Sequence, residues 1–225
     1  TNTEKLLLYK EECKKMGFEV LKPDINKSGA DFAVEDGNIR YALGAIKGVG
    51  AANMQAIEDE RRAHGPYKDL SDFIHRTDIK QINRRQMEQL AKAGAFDCLD
   101  KNRGKIFANI ETIMQHIAAA SELKTSSQAS LFGTEELHTT VKLADKPDWP
   151  ELEKLKLEAE AIGFYLSAHP LDSYARGMER LGVKTAVEVF HNIKVGDTIR
   201  AKLAGCVNSV QKRISKSGNK YAFVE

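Results

Sequence analysis

The sequence predicts a mainly α chain with a small β-hairpin near its N-terminus and a short β region at its C-terminus. Three observations support this. Apolar residues recur with helical period through most of the chain, an Asp-Gly pair divides two short alternating runs near the start, and alternation returns only beyond Asp197. Leu6, Tyr9, Cys13 and Met16 lie on one helical stripe, with Gly17 placed to end it, so the chain opens with an amphipathic helix. Phe18 to Leu21 is a short extended stretch stopped by Pro23. Phe32 and Val34 alternate before Asp36-Gly37, and Ile39, Tyr41 and Leu43 alternate after it; Asp-Gly tolerates the positive φ angles of a two-residue hairpin turn. Gly44-Ala45-Ile46-Lys47-Gly48-Val49-Gly50 then leads into a helix to about Arg62, broken at Gly65-Pro66.

A second helical group begins near Leu70. Asn83 followed by Gln86 has the form of a capping box, and Met87, Leu90 and Ala91 give the buried stripe before Gly94 ends that helix. Asn102 caps the next, in which Ile106, Ile110, Ile113, Met114 and Ile117 repeat as core. From about Lys124 to Asp148 the periodicity is lost, which predicts a linker. Asp148-Trp149-Pro150-Glu151 restarts a helix through Ile162, since proline is tolerated in a first turn. Thr198, Arg200 and Lys202 alternate with Ile199, Ala201 and Leu203, and Val207 and Val210 lead to the turn Lys216-Ser217-Gly218-Asn219 and the strand Tyr221 to Val224, with Phe223 expected inside. A two-stranded ribbon is marginal alone, so the expectation is a piece of a longer protein that stops within a β domain. The predicted organisation is 1–43, 44–123, a linker 124–148, a connecting helical segment 149–193 and the start of a β domain at 194–225.

The chain has 225 residues, 42% hydrophobic and 29% charged, with a formal charge of +2. It has no apolar run near the roughly 18 residues of a membrane span and no signal-peptide pattern at Thr1 to Lys5, so no membrane partner and a cytoplasmic location are expected. Cys13, Cys98 and Cys206 are odd in number and far apart, in keeping neither with a disulfide framework nor with a zinc site. The small net charge hides structure: Arg76 to Lys105 holds eight Lys or Arg against four acids, Lys194 to the end seven against two, and Gly133 to Glu160 eight acids against four Lys. Two basic regions flanking an acidic one suit contact with a phosphate backbone.

Ile46-Lys47-Gly48-Val49-Gly50 before a helix has the form of a helix-hairpin-helix turn. Two glycines permit a sharp turn with positive φ and bring the backbone close to a phosphate, while Val49 tucks inward and Lys47 adds charge. Leu90-Ala91-Lys92-Ala93-Gly94-Ala95-Phe96, about 45 residues on, is a degenerate second unit, surrounded by Arg84, Arg85, Lys92, Lys101 and Arg103. The expected DNA-binding set is Lys47, Gly48, Val49, Gly50, Arg84, Arg85, Lys92, Gly94, Ala95, Lys101 and Arg103. Binding through phosphate and sugar alone is not sequence-specific and weakens steeply with salt.

Glu12-Cys13-Lys14-Lys15-Met16-Gly17, Pro23-Asp24-Ile25-Asn26, Gly44 to Gly50, Ala91 to Asp97 and Gly163-Phe164-Tyr165-Leu166-Ser167-Ala168-His169-Pro170-Leu171 together resemble, in order, blocks of the bacterial replicative DNA polymerase III alpha family. Ala168 departs from the family pattern, which favours glycine there. The resemblance implies a mainly α fold running from the end of the fingers through a tandem helix-hairpin-helix domain into an incomplete OB-type β domain. It further implies DNA-directed DNA polymerase activity with Mg2+ in the parent protein, and primer-template double-stranded DNA, a sliding clamp and other replicase subunits as partners.

Gln128-Ala129-Ser130-Leu131-Phe132 places two large apolar residues in the most polar stretch, a form suited to docking Leu and Phe in an apolar pocket. It resembles the family's internal clamp-binding motif, so Gln128, Ser130, Leu131 and Phe132 are the expected clamp-binding residues. At the C-terminal end Arg200, Lys202, Lys212, Arg213, Lys216 and Lys220, with Tyr221, are candidates for holding a single-stranded template in the complete OB domain. Polymerisation requires carboxylates that hold two metal ions. Asp97, Asp100, Asp145, Asp148, Asp31 and Glu35 read instead as caps, turns and solvent charges, and the histidines, His169 included, have no metal spacing. No catalytic and no metal residue is therefore expected in this chain. A stand-alone duplex-binding repair or recombination module and an error-prone paralogue of the same polymerase are the alternatives.

Overall fold

The computed structural model describes residues 3–125, 140–191, 193, 198–207 and 209–224. Helical periodicity and turn chemistry account for most of its elements. It is mainly helical with two small sheets, and it divides into a first unit ending at Ser167 and a second beginning at Ala168.

In the first unit α1 (Thr3–Lys15) ends where Gly17 takes φ +83° and the Phe18 amide reaches back to the Cys13 carbonyl at 2.8 Å. Its predicted stripe does not enter a filled core: Tyr9 and Met16 remain exposed and, with Leu6 and Cys13, line one wall of an apolar cavity of about 440 Å³. β2 (Ala33–Glu35) and β3 (Asn38–Arg40) form the expected hairpin, with Asp36 and Gly37 at φ +50° and +77°. The extended stretch after α1 yields β1 (Val20–Leu21), which adds parallel to β3, giving the order β1-β3-β2. Glu35 fixes the hairpin by accepting from Arg40 Nε at 2.6 Å and Lys27 Nζ at 2.8 Å.

A 3-10 turn (Leu43–Ala45) leads to α2 (Ala51–His64), then to α3 (Leu70–Arg76), α4 (Arg84–Ala93), α5 (Arg103–Ala108), α6 (Ile110–Thr125) and α7 (Glu151–Ile162). Asp69 caps α3 and Asn102 caps α5, each satisfying an amide that a helix start leaves without a partner. One core runs through these elements. Tyr67, Phe73 and Phe96 meet edge to face with ring centroids 5.1 Å apart at each contact, and Ile74, Met87, Leu90, Ile106 and Ile113 close around them. Each such fully buried side chain stabilises the fold by about 1.5–3 kcal/mol.

The packing cuts across the expected divisions. Residues 1–43 and 44–123 share this core through Ile25, Tyr41 and Ile46, and α7, predicted inside a connecting segment, packs on α4. The division falls after Ser167 because Ala161, Ile162, Phe164 and Leu166 are all buried in the first unit. The end of the predicted linker is also ordered against the helices. Val141 N bonds Ser71 Oγ at 3.0 Å, Ala144 exchanges two bonds with the Asn109 side chain at 2.9 Å each, and Asn102 Nδ2 donates to the Lys146 carbonyl at 2.8 Å.

The second unit holds a 3-10 turn (Asp172–Tyr174), α8 (Ala175–Arg180), α9 (Ala186–His191) and the antiparallel ribbon of β4 (Val210–Ile214) and β5 (Lys220–Val224). Gly218, at φ +81°, makes the turn. The alternation at 198–203 forms no strand among the described residues. Phe223, expected inside, is 58% exposed and packs edge to face on Tyr221 on one face of the ribbon.

Candidate nucleic-acid interface

The turn between Ile46 and α2 is built so that its apolar residues point in and its backbone points out. Ile46 and Val49 are buried, Val49 at 2% exposure, whereas Lys47, Gly48 and Gly50 are exposed. Gly48 and Gly50 take φ +76° and +84°, values that side-chain-bearing residues avoid. The turn is anchored from behind by the Lys47 amide, which donates to the Ala161 carbonyl of α7 at 2.9 Å, and by the Val49 amide, which donates to Ile46 at 3.2 Å. The Gly48 and Gly50 amides have no acceptor among the described residues, and the first turn of α2 contains no acid. Two free amides, a helix start and a lysine together form a surface that favours an anion.

Arg85 joins this turn. It lies in the first turn of α4, is exposed, and its Nε sits 3.2 Å from the point where a Cβ on Gly48 would fall. Sequence position alone groups it with the Leu90–Phe96 hairpin. Arg84, its neighbour, is exposed but paired with Glu88 and Glu111 at 3.0 Å each. Lys47, Arg85 and Lys101 form no ion pair among the described residues.

The second predicted hairpin, Leu90 to Phe96, departs from expectation. Gly94 is an αL helix end (φ +77°), its amide donating to Ala91 and the Ala95 amide to Leu90, so these amides are consumed in closing α4. Gly94 and Ala95 are buried, and Arg103 covers them: a Cβ on Gly94 would fall 2.1 Å from Arg103 Nη2. Arg103 is 5% exposed, holds Asp97 with Nε and Nη2 at 2.7 and 2.6 Å, and reaches Glu158 Oε2 at 3.4 Å. Burial disfavours its charge, but Asp97 and Glu158 outweigh that and keep its pKa above the ordinary guanidinium value. Arg103 is thus an internal clamp between α5 and α7, because its guanidinium and the Glu158 carboxylate it reaches are both buried. Lys92 is half-buried over the Phe107 ring and paired with Glu160 at 3.3 Å.

Two residues that organise the site carry no charge signature in sequence. Gln86, 4% exposed, closes the predicted capping box with Asn83 and also donates through Nε2 to the Val49 carbonyl, while its Oε1 accepts from Asn53 Nδ2 at 3.2 Å. Glu158, 1% exposed, accepts from the Ser167 amide at 2.8 Å and from its hydroxyl. The capping pattern of Gln86 is local and legible; its bond to a turn thirty-seven residues away is not.

On the ribbon, register places Arg213 opposite Tyr221 and Gln211 opposite Phe223 on one face, with the Arg213 guanidinium 5.8 Å from the Phe223 ring centre. Lys212 and Lys220 project from the other face, Lys216 stands in the turn, and Lys202 Nζ donates to the Leu181 carbonyl at 3.1 Å. Arg200 is exposed in irregular chain. The predicted basic group is therefore split: Arg213 and Tyr221 share one face of the ribbon, Lys212 and Lys220 the other. Gln128, Ser130, Leu131 and Phe132 lie outside the described residues. Among the described residues no three His, Cys, Asp or Glu side chains gather as metal ligands, and no helix is long and apolar enough to cross a membrane.

Turn, flanking helices and buried apolar centre define a helix-hairpin-helix protein, and residues 17–106 match the helix-hairpin-helix motif family. The likeness extends further. The chain is 36% identical over 224 residues to the DNA polymerase III subunit alpha of Caulobacter vibrioides, covering 100% of this chain and 20% of that protein. It is 39% identical over 225 residues to that of Neisseria meningitidis serogroup A (99% and 19%) and 33% identical over 229 residues to that of Mycobacterium tuberculosis (99% and 19%). The chain belongs to the DNA polymerase III alpha family and spans about a fifth of the length of the curated relatives it matches.

Proposed function

We propose that this chain is the part of a replicative DNA polymerase III alpha subunit that holds the primer-template duplex and tethers the enzyme to its sliding clamp. The parent protein extends primers by template-directed nucleotidyl transfer, with Mg2+ on carboxylates outside this chain. The observation that supports duplex holding best is the Lys47–Gly50 turn, whose two amides, without an acceptor among the described residues, lie beside the exposed cations of Lys47 and Arg85. Such a turn grips phosphate without reading bases, as a polymerase needs for every sequence it copies. Arg84 and Lys101 extend the basic surface, and Arg213 with Tyr221 and Phe223 suits a single-stranded template, the planar cation and rings stacking on bases.

Clamp tethering rests on the Gln128-Ala129-Ser130-Leu131-Phe132 peptide and acts through effective concentration. Other replicase subunits are the remaining partners of this reading. Fluorescence anisotropy of a labelled primer-template duplex, titrated with the chain at several salt concentrations, tests the first part. Affinity that falls linearly in log-log form, with a slope reporting two to four neutralised phosphates, is expected, at about 0.9 per phosphate. Binding that is absent, or indifferent to salt, overturns it.

A further inference from the structure

We infer that Gln86 is a positioning residue that aims the Gly50 amide at the bound phosphate; this deepens the duplex-holding function proposed above and rests on it. The Val49 carbonyl and the Gly50 amide belong to one planar trans peptide, in which C=O and N–H point in opposite directions. Gln86 Nε2 draws that carbonyl into the protein interior, and the Gly50 N–H is thereby turned outward. The carboxamide cannot rotate away, because its Oε1 is held by the Asn83 amide at 2.9 Å and by Asn53 Nδ2 at 3.2 Å, and the Gln86 amide is held by Asn83 Oδ1 at 3.0 Å.

The same side chain therefore joins the turn, α2 and the start of α4. Arg85, the residue before it, is thereby fixed beside Gly48, so that one donor plane and one cation face the same anion from two elements. Without Gln86 the Val49–Gly50 peptide is free to flip, since glycine at position 50 places little steric barrier on either orientation. A capping box ordinarily serves its own helix; here its glutamine also sets the orientation of a peptide in a neighbouring loop.

The test uses the whole 225-residue chain with a labelled primer-template duplex. Gln86→Met keeps the length and removes both polar groups. It is expected to weaken duplex binding about tenfold, the effect of one hydrogen bond to a charged acceptor, with the salt slope unchanged because no cation is lost. Arg85→Ala is expected instead to reduce the slope by about 0.9. Amide NMR of the unmodified chain supplies a readout that does not depend on how well a variant folds: the Gly50 N–H resonance is expected to shift on adding duplex. A Gln86→Met chain that melts as the parent does and binds as tightly refutes the inference, as does a Gly50 amide that stays unmoved while Lys47 responds. Absence of any response at Lys47, Gly48 and Arg85 refutes the duplex-holding function itself.

Discussion

Replacing Arg103 with Ala separates two roles that its charge alone leaves equal, phosphate contact and internal clamp. The guanidinium is 5% exposed, makes a two-point pair with Asp97 and reaches a carboxylate, Glu158, that is 1% exposed. Removing one partner of a buried pair leaves the other charge without compensation and costs about 3–5 kcal/mol. With a urea dependence of about 2 kcal/mol per molar, the unfolding midpoint is expected to fall by about 1.5–2.5 M. The sole tryptophan, Trp149, lies against Phe107 of the same helix as Arg103, with ring centres 5.3 Å apart, so its fluorescence reports the first unit directly. Adding Glu158→Gln to Arg103→Ala removes the stranded charge and is expected to recover about 1–3 kcal/mol as non-additivity. Where the variant remains folded, the salt slope of duplex binding should match the parent. A midpoint within about 0.3 M of the parent, with a salt slope lower by about 0.9, would show that Arg103 contacts phosphate and would overturn the internal-clamp role.

Gly50→Ala forces a side chain into φ +84°, ψ 140°, a region nearly closed to it; a loss of about 1–3 kcal/mol in urea unfolding and weaker duplex binding are expected, and an unperturbed chain would contradict the turn geometry. The Arg40 and then the Lys27 hydrogen bond hold the Glu35 carboxyl down at about 2, so hairpin stability from this pair is present above its ordinary value near 4.5 and is lost as pH falls toward 2. Hairpin amide shifts followed by NMR should move across that window, and Glu35→Gln should abolish the dependence. Leu131→Ala with Phe132→Ala is expected to weaken sliding-clamp binding at least tenfold while leaving duplex affinity unchanged; unchanged clamp affinity rejects the peptide's assignment.

What was legible in sequence was local. The α1 stop at Gly17, the Asp36-Gly37 hairpin, the Asn83 and Gln86 capping box and the isoleucine stripe of α6 each rest on residues within a few positions of one another, where backbone sterics and period decide. The Lys47–Gly50 turn belongs to the same class. Charge marks Arg103 for phosphate but says nothing about direction: Asp97 is near in sequence, but Glu158 is fifty-five positions away and only packing of α7 on α4 brings it in. Arg85 was placed with the wrong turn for a related reason, since the start of α4 folds back beside Gly48. Phe223 is expected inside because an aromatic in an alternating strand usually faces a core, yet among the described residues no second layer covers the two-stranded ribbon.

Both described flanks of residues 126–139 belong to the first unit: α6 packs in its core, and Ser71, Asn109 and Asn102 bond the segment from Val141 to Lys146. Anything that engages residues 126–139 is therefore attached at two points to one body. A protease cut within that stretch would leave two polypeptides that still copurify, joined by α7 against α4 and by Arg103 with Glu158, and separable only by denaturation. A load applied between the end of α6 and Val141 therefore falls on the body that carries the Lys47–Gly50 turn, since both flanking segments are packed into it.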